Sequence, residues 1–293
     1  MSTTPAGEPR SGYLSCAGRQ IHYLDWGDLR APAVIAWHGL ARTGRDFDVL
    51  ARHLAPRWRV ICPDTLGRGL SQWSADPGRE YCLSFYAQLA EGLLDGLGLK
   101  QVHWVGTSMG GAIGTLCAGS ALKGRLASLV LNDNAPRLAD EAIARIRQYA
   151  GNPPAFDTLT ELEAFYREVY KPFGWLSDAQ WLHLAETSIR RLPDGRVTPH
   201  YDPAIVRQFT DHDNDYLLWD PYDRIDIPVL CLRGEQSDLV LPDAVEEMRG
   251  RGPGARGLLQ VVEIPGVGHA PALNVPEQLG LVADFLGAAL SRG

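Results

Sequence analysis

Ser108 lies in a segment whose pattern favours a reactive serine. An apolar run at 102–105 is followed by G-T-S-M-G at 106–110 and then by small residues of helical character. This is the strand–turn–helix context of a G-x-S-x-G turn, which presents a serine hydroxyl at the end of a strand. A side chain at Gly106 or Gly110 is expected to collide with the neighbouring strand and helix. The segment therefore predicts a nucleophilic serine at position 108.

A serine hydroxyl is a weak nucleophile, so it needs a base within hydrogen-bond reach and a third group that orients the base. His269 and Asp238 are expected to fill these roles, because each follows a predicted buried strand further along the chain. Asp133, which follows the strand predicted at 126–131, is the alternative acid, and Glu235 is a more remote one.

Strand-like and helix-like segments alternate along both ends of the chain. This pattern predicts an α/β fold with a doubly wound, mostly parallel sheet. In such a sheet the loops at the carboxyl ends of the strands carry the site. The predicted strands are a pair within 13–26, followed by 33–37, 59–62, 102–105, 126–131, 227–233 and 258–264. The predicted helices are 47–54, one from Ser84 as cap to about 97, one after Ser108, 242–248 and 276–290.

The middle of the chain, residues 135–219, has a different sequence pattern. Strand-like runs are absent from it, which predicts an all-helical insertion with helices at 140–149, 159–170, 178–190 and 203–210. Its aromatic residues are expected to form mostly the core of the insertion, with a minority lining a binding pocket. These residues are Phe156, Phe165, Tyr166, Tyr170, Phe173, Trp175 and Trp181.

Five motifs together resemble a serine α/β-hydrolase with a helical cap, from about Tyr13 onward and most weakly in the cap. They are G-T-S-M-G-G at 106–111, His38-Gly39, D-x-x-G-x-G-x-S at 64–71, G-x-x-x-D at 234–238 and Gly268-His269. The order serine, acid, histidine is also the order of that family. The resemblance implies a hydrolase core formed by residues 1–134 and 220–293, and a cap formed by residues 135–219.

The same resemblance assigns roles to individual residues. It makes Ser108 the nucleophile, His269 the general acid and base, and Asp238 the orienting acid. The backbone N–H groups of Leu40 and Met109 would form the oxyanion hole, where each donor contributes about 3 kcal/mol to transition-state stabilisation.

A serine nucleophile implies acyl transfer to water, with carboxylic esters of small to medium apolar substrates as the expected small-molecule partners. It argues against the dehalogenase and epoxide hydrolase chemistry of relatives that use a carboxylate nucleophile. Three alternatives stay open: a C–C bond hydrolase of ring-cleavage products, a perhydrolase and a small-molecule receptor on the same fold. The segment Leu40-Ala41-Arg42-Thr43-Gly44 lacks the glycine-rich stretch usual in the C–C hydrolases.

His38, Asp64 and Arg68 are expected to brace the loops beside the site, with contact to a substrate carboxylate as the alternative role for Arg68. The remaining histidines do not stand in a pattern that pairs them with a catalytic or metal-binding partner. They are expected to be structural or on the surface. They are His22, His53, His103, His183, His200 and His212.

The composition narrows the range of partners. The net charge is −7 and Lys and Arg form no block, which argues against nucleic acid and membrane partners. No apolar run approaches 18 residues, and residues 1–10 resemble a frayed tail rather than a signal peptide. Five cysteines without a C-x-x-C pair favour a cytoplasmic protein. The eight histidines lack ligand spacing, so neither a metal nor a cofactor is expected, and the oligomeric state is left open.

Overall fold

The computed structural model describes residues 7–291 and contains an eight-stranded sheet. The strand order is β1-β2-β4-β3-β5-β6-β9-β10, and all pairs from β4 to β10 are parallel. The strands of this sheet are β1 (Arg10–Cys16), β2 (Arg19–Trp26), β3 (Ala33–Trp37), β4 (Arg59–Pro63), β5 (Val102–Thr107), β6 (Leu126–Asn132), β9 (Val229–Gly234) and β10 (Leu259–Ile264). The mostly parallel sheet predicted from the sequence is confirmed. Of the tail predicted at 1–10, residues 1–6 lie outside the described residues and Arg10 already belongs to β1.

Helices cover both faces of the sheet, as a doubly wound fold requires. The helical residues Leu50 and Leu286 pack on one face, whereas Leu93 and Ile113 pack on the other. The helices are α1 (Asp48–Leu54), α2 (Pro77–Glu80), α3 (Leu83–Gly96), α4 (Met109–Gly119), α5 (Asp140–Ala150), α6 (Leu159–Val169), α7 (Asp178–Thr187), α8 (Arg207–Thr210), α9 (Trp219–Asp223), α10 (Pro242–Gly250), α11 (Gly252–Ala255) and α12 (Pro276–Leu290). Short 3-10 helices lie at Gly44–Phe47, Lys171–Phe173 and Pro203–Val206.

The central strands β3, β4 and β9 are buried along their whole length. Such strands appear in a sequence as continuous apolar runs, which explains why their positions were predicted closely. The expectation that Ser84 caps α3 was wrong. The helix begins at Leu83, and its N-cap is Cys82, which makes no side-chain cap hydrogen bond.

The segment between β6 and β9, here called the insertion (residues 135–219), is not all-helical. It contains an antiparallel hairpin of β7 (Ile189–Arg191) and β8 (Val197–Pro199). Three-residue strands are too short to show alternation, although Asp194-Gly195 at the turn is a hairpin signal. The insertion has its own apolar cluster, which consists of Leu162, Tyr166, Trp181, Leu184, Ala185 and Val197. Its two ends, including Leu138 and Ile205, pack into the core of the sheet instead.

Among residues 7–291, no helix is both long and apolar enough to cross a membrane.

Candidate active site

Ser108 occupies a strained turn between β5 and α4. Its φ of 51° lies in the left-handed region, which is uncommon for a residue with a side chain. A Cβ at Gly106 would overlap the backbone of Gly110, and a Cβ at Gly110 would overlap the carbonyl oxygen of Trp37. The two flanking glycines therefore let the turn fit between α4 and β3, as the motif predicts.

Three polar side chains that follow β5, β6 and β10 meet at the carboxyl edge of the sheet. The Oγ atom of Ser108 lies 2.9 Å from Nε2 of His269, which follows β10. Nδ1 of His269 lies 2.5 Å from Oδ2 of Asp133, the first residue after β6. The sequence predicted the pairing of Ser108 with His269 and named Asp133 only as the second choice for the acid.

Asp133 is completely buried and is held by hydrogen bonds on both carboxylate oxygens. Oδ1 accepts from the backbone N–H of Gly234 at 2.8 Å, and Oδ2 accepts from the Ser237 hydroxyl at 2.7 Å as well as from His269. The Ser237 hydroxyl also accepts from the amides of Leu239 and Val240. Because its lone pairs are used in this way, its single proton is directed to Asp133.

The prediction that Asp238 orients His269 is corrected by this geometry. The side chain of Asp238 is 55% exposed and forms a salt bridge of 2.7 Å with Arg145 of α5. Asp238 is the fourth residue after the end of β9, and this loop carries its side chain to the surface. Glu235, the more remote alternative, accepts from the backbone N–H of Gly266 at 2.8 Å.

The two residues whose amides are predicted to stabilise an oxyanion both lie near Ser108. Met109 begins α4, and Leu40 follows Gly39, where an added Cβ would lie 3.7 Å from the Cβ of Ser108. Within the described residues neither N–H group has a hydrogen-bond acceptor, so both are free to donate to a bound group. Helix N-termini and free amides of this kind favour negative charge.

Arg68 is buried beneath the loop that carries Leu40. Its Nε donates to the carbonyl of Leu40 at 2.8 Å, its Nη1 donates to Tyr86 at 2.8 Å, and its Nη2 lies 3.6 Å from Sδ of Met109. The guanidinium also lies over the ring of Tyr81. One cation thus contacts both residues that carry the candidate oxyanion amides. It does not line the cavity described below, which argues against the alternative role in binding a substrate carboxylate.

His38 and Asp64 brace the same region, as expected. Nε2 of His38 accepts from the backbone N–H of Thr65 at 2.9 Å, and Nδ1 donates to the carbonyl of Gly39 at 2.6 Å. Asp64 accepts from the backbone N–H of Gly44 at 2.7 Å and from the ring of His22 at 2.8 Å.

The lowered pKa values of two buried histidines predict that the protein loses stability in mild acid. Burial lowers the pKa of both His38 and His103 to about 4, below the ordinary value of 6.5. Between these values the unfolded chain takes up protons that the folded chain does not. The stabilising contribution is therefore complete above about pH 6.5 and falls as the pH drops towards 4.

The substitution His103→Gln should isolate one of these protons, since glutamine stays neutral and can still bond to Ser128, the present partner of His103. Urea unfolding between pH 7 and 4.5 should give a shallower fall of the unfolding free energy in the variant, by up to about 1.4 kcal/mol per pH unit. Carboxylates titrate equally in both proteins, so they do not contribute to the difference. An identical dependence of the unfolding free energy on pH in the wild type and the variant would contradict the prediction.

A cavity of about 170 Å³ opens above Ser108 and His269. One part of its lining is apolar and consists of Phe47, Val49, Ile146, Val169, Tyr170, Phe173, Leu176, Leu184 and Leu273. Another part carries polar side chains, namely Arg42, Arg45, Asp46, Asp48, Gln180, His183, Thr187 and Asn274. Of the seven aromatic residues considered in the insertion, Tyr170 and Phe173 line the cavity, in agreement with the predicted minority. His183, which was expected to be structural or on the surface, is bonded to Asp48 and partly exposed, and it also lines the cavity.

No group of three or more histidine, cysteine or acidic side chains suited to a metal ion is found among residues 7–291.

Comparison with known proteins agrees with the fold. A sequence profile of the α/β hydrolase fold matches residues 32–274. The 3-hydroxybutyrate-oligomer hydrolase of Cupriavidus necator is 38% identical over 298 residues, which cover 97% of this chain and 100% of that protein. The 2-(acetamidomethylene)succinate hydrolase of Mesorhizobium japonicum is 27% identical over 260 residues, which cover 88% of each protein.

A similar solved structure is that of an α/β hydrolase from Novosphingobium aromaticivorans. Its TM-score is 0.83 at 33% sequence identity, and the match covers 98% of this chain and 99% of the other. The sheet order, the turn at Ser108 and these matches over most of the chain lead to one conclusion: this protein is a hydrolase of the α/β-hydrolase fold family.

Proposed function

We propose that the protein hydrolyses carboxylic esters through an acyl-enzyme formed on Ser108. The observation that carries the proposal is the hydrogen-bonded series from Ser108 through His269 to Asp133, with distances of 2.9 and 2.5 Å, at the base of a partly apolar cavity. A nucleophile, a base and an orienting acid in this arrangement support acyl transfer.

In the proposed reaction, Oγ of Ser108 attacks the ester carbonyl while Nε2 of His269 accepts the hydroxyl proton. The negative charge on the carbonyl oxygen is stabilised by the N–H groups of Leu40 and Met109. His269 then returns the proton to the departing alcohol, which leaves an acyl group on Ser108. Water loses a proton to His269, attacks this acyl group and releases the acid, and the proton returns to Ser108. These residues supply every proton transfer, so the route calls for no metal or cofactor.

The apolar part of the cavity supports small to medium apolar acyl or alcohol groups as substrates. Oligomers of 3-hydroxybutyrate are polyesters, and a relative named for their hydrolysis is 38% identical over its full length. This similarity supports an ester bond as the target and adds hydroxy esters to the substrates worth testing.

We also propose that residues 135–219 act as a cap. Val169, Phe173 and Leu184 contribute to the cavity from this segment. The carbonyl of Pro172 accepts from Gly268 at 2.9 Å and that of Phe173 accepts from Ala272 at 3.1 Å, so the cap is bonded on both sides of His269. The five cysteines are buried free thiols, which is in keeping with a proposed cytoplasmic location.

The experiment that tests the function is turnover of p-nitrophenyl esters of increasing acyl length, beside Ser108→Ala. We expect steady-state hydrolysis by the wild type, and labelling of Ser108 by a fluorophosphonate that mass spectrometry locates. If the wild type turns over no ester, the proposal fails. A vinylogous diketone would then test C–C cleavage, and a stoichiometric burst without turnover would indicate a receptor.

Ser237→Ala provides a milder test of the series. The change removes the proton donated to Asp133 and leaves the carboxylate less well oriented, so kcat should fall about three- to tenfold with KM nearly unchanged. The measurement is steady-state kinetics on p-nitrophenyl butyrate. Gln236→Ala, at the neighbouring exposed position, is the control and should behave as the wild type. Equal kcat values for Ser237→Ala and Gln236→Ala would exclude a positioning role for Ser237.

A further inference from the structure

We propose that the cavity-facing side of α7 is a subsite for a neutral hydroxyl group of the substrate, so that hydroxy esters are preferred to plain alkyl esters. This inference rests on the proposed ester hydrolysis and names the substrate class of the same site. It is carried by Gln180, His183 and Thr187, three polar residues that line the cavity of Ser108.

The sides of α7 differ in what they contact. Gln180, His183, Leu184 and Thr187 follow the spacing of three, four and seven residues that brings side chains onto one helix face, and all four line the cavity. Trp181 and Ala185 pack into the apolar cluster of the insertion. Leu182 and Glu186 are exposed. A cavity for alkyl chains alone would need apolar residues at the positions of Gln180, His183 and Thr187.

Local hydrogen bonds fix which polar atoms are left for a ligand. Oε1 of Gln180 accepts from the backbone N–H of Ser177 at 2.9 Å in a capping box, which leaves the amide Nε2 as a donor. The hydroxyl of Thr187 donates to the carbonyl of His183 at 2.7 Å, which leaves its oxygen as an acceptor.

The tautomer of His183 follows from Asp48. Oδ2 of Asp48 lies 2.8 Å from Nε2 of His183 and 2.7 Å from Nε of Arg45. A carboxylate paired with an arginine only accepts, so Nε2 of His183 carries the proton and, in the neutral ring, Nδ1 is an acceptor. Within the described residues this Nδ1 has no hydrogen-bond partner.

The charges at this end of the cavity are paired with one another. Asp48 is bonded to Arg45, and Asp46 is bonded to Arg42 through two hydrogen bonds of 2.6 and 2.9 Å. What α7 offers is therefore one neutral donor and two neutral acceptors. Gln180 and Thr187 lie seven residues apart, about 10 Å along the helix, so one hydroxyl can reach His183, which stands between them, and at most one of the two. A hydroxyl both donates and accepts a hydrogen bond, so it can donate to Nδ1 of His183 and accept from Nε2 of Gln180. An alkyl group would remove water from these polar atoms without replacing its hydrogen bonds.

The test compares matched pairs of esters that differ by one hydroxyl. The acyl pair is p-nitrophenyl 3-hydroxybutyrate, as both enantiomers, and p-nitrophenyl butyrate. The alcohol pair is 3-hydroxybutyl butyrate and butyl butyrate. We expect the wild type to favour the hydroxylated member of at least one pair in kcat/KM, and the favoured pair identifies the side of the scissile bond that faces α7.

Three variants remove the proposed partners without removing the helix. They are His183→Phe, Thr187→Val and Gln180→Glu, of which the last keeps the capping box and loses the Nε2 donor. His183→Phe should lower the preference for the hydroxylated ester about three- to tenfold, the range expected for one hydrogen bond, and so should whichever of the other two variants removes the second partner of that hydroxyl. Glu186→Gln, on the exposed face of α7, is the matched control and should leave the preference unchanged. Thermal unfolding checks that every variant is folded.

The outcomes separate the two proposals. Equal or lower kcat/KM for the hydroxylated member of both pairs, or an unchanged preference in His183→Phe, would overturn the subsite while ester hydrolysis stands. An absence of any turnover that depends on Ser108 would reject the ester hydrolase proposal, and the subsite with it.

Discussion

Asp133→Asn is expected to lower kcat about 10⁴-fold, the loss seen when the orienting acid of a serine–histidine–acid series is replaced by its amide. In the folded protein Oδ1 of Asp133 accepts from the amide of Gly234. An asparagine that keeps this bond must turn its NH₂ group towards Nδ1 of His269. The ring would then carry its proton on Nε2, facing Ser108, and would be unable to accept the serine proton.

Asp238→Asn is the matched comparison, because it makes the same chemical change in the acid that the sequence favoured. Asp238 pairs with Arg145 at the surface, and exposed ion pairs of this kind contribute little to stability. We expect its kcat to stay within about twofold of the wild type. The measurement is kcat on p-nitrophenyl butyrate, with circular dichroism to verify folding. A large loss in Asp238→Asn with near-normal Asp133→Asn would return the role of the acid to Asp238.

Arg68→Met is expected to lower kcat about 10²-fold, close to the effect of losing one oxyanion donor. The guanidinium fixes the carbonyl of Leu40 at 2.8 Å and lies against Met109, so it holds the residues that carry both candidate amides. It also places a positive charge next to Leu40 and Met109, whose amides are the candidate oxyanion donors. Methionine has a similar length and can pack between Tyr81 and Tyr86, but it supplies neither effect.

Tyr86→Phe is the control for Arg68, since it removes a hydrogen bond of the same guanidinium and leaves the bond to Leu40 in place. The readout is the inhibition constant of a trifluoromethyl ketone, which mimics the tetrahedral state, measured beside kcat and KM. For Arg68→Met this inhibition constant should rise in parallel with the loss of kcat, while KM changes little. The kcat and inhibition constant of Arg68→Lys should lie between those of the wild type and Arg68→Met. A loss of the same size in Tyr86→Phe, or a change confined to KM, would reduce Arg68 to a structural residue.

Much of the fold could be predicted because its signals are local. Ala33–Trp37 and Pro276–Leu290 were predicted to the residue: the first is a continuous apolar run, and the second begins with proline and repeats apolar residues at helical spacing. The turn at Ser108 was predictable for a related reason, because Gly106 and Gly110 relieve collisions between segments close in sequence or directly paired. The β7–β8 hairpin was missed because three residues are too few to establish a period.

The cavity required contacts that no local pattern contains. The polar residues of α7 stand at helical spacing in the sequence, but that spacing is equally typical of a solvated helix face. Only the packing of Trp181 and Ala185 into the insertion, and the bond from His183 to Asp48, determine that this face meets the cavity.

By itself, the sequence determined the sheet and the pairing of the candidate serine and histidine, since each depends on a strand and the turn that follows it. The tertiary structure alone decided the acid. Asp133 and Asp238 both follow buried strands, and what separates them is the path of the chain after the strand. Asp133 is the first residue beyond β6 and stays buried against His269, whereas Asp238 lies four residues beyond β9, far enough for the loop to reach solvent and for Arg145 to bind it.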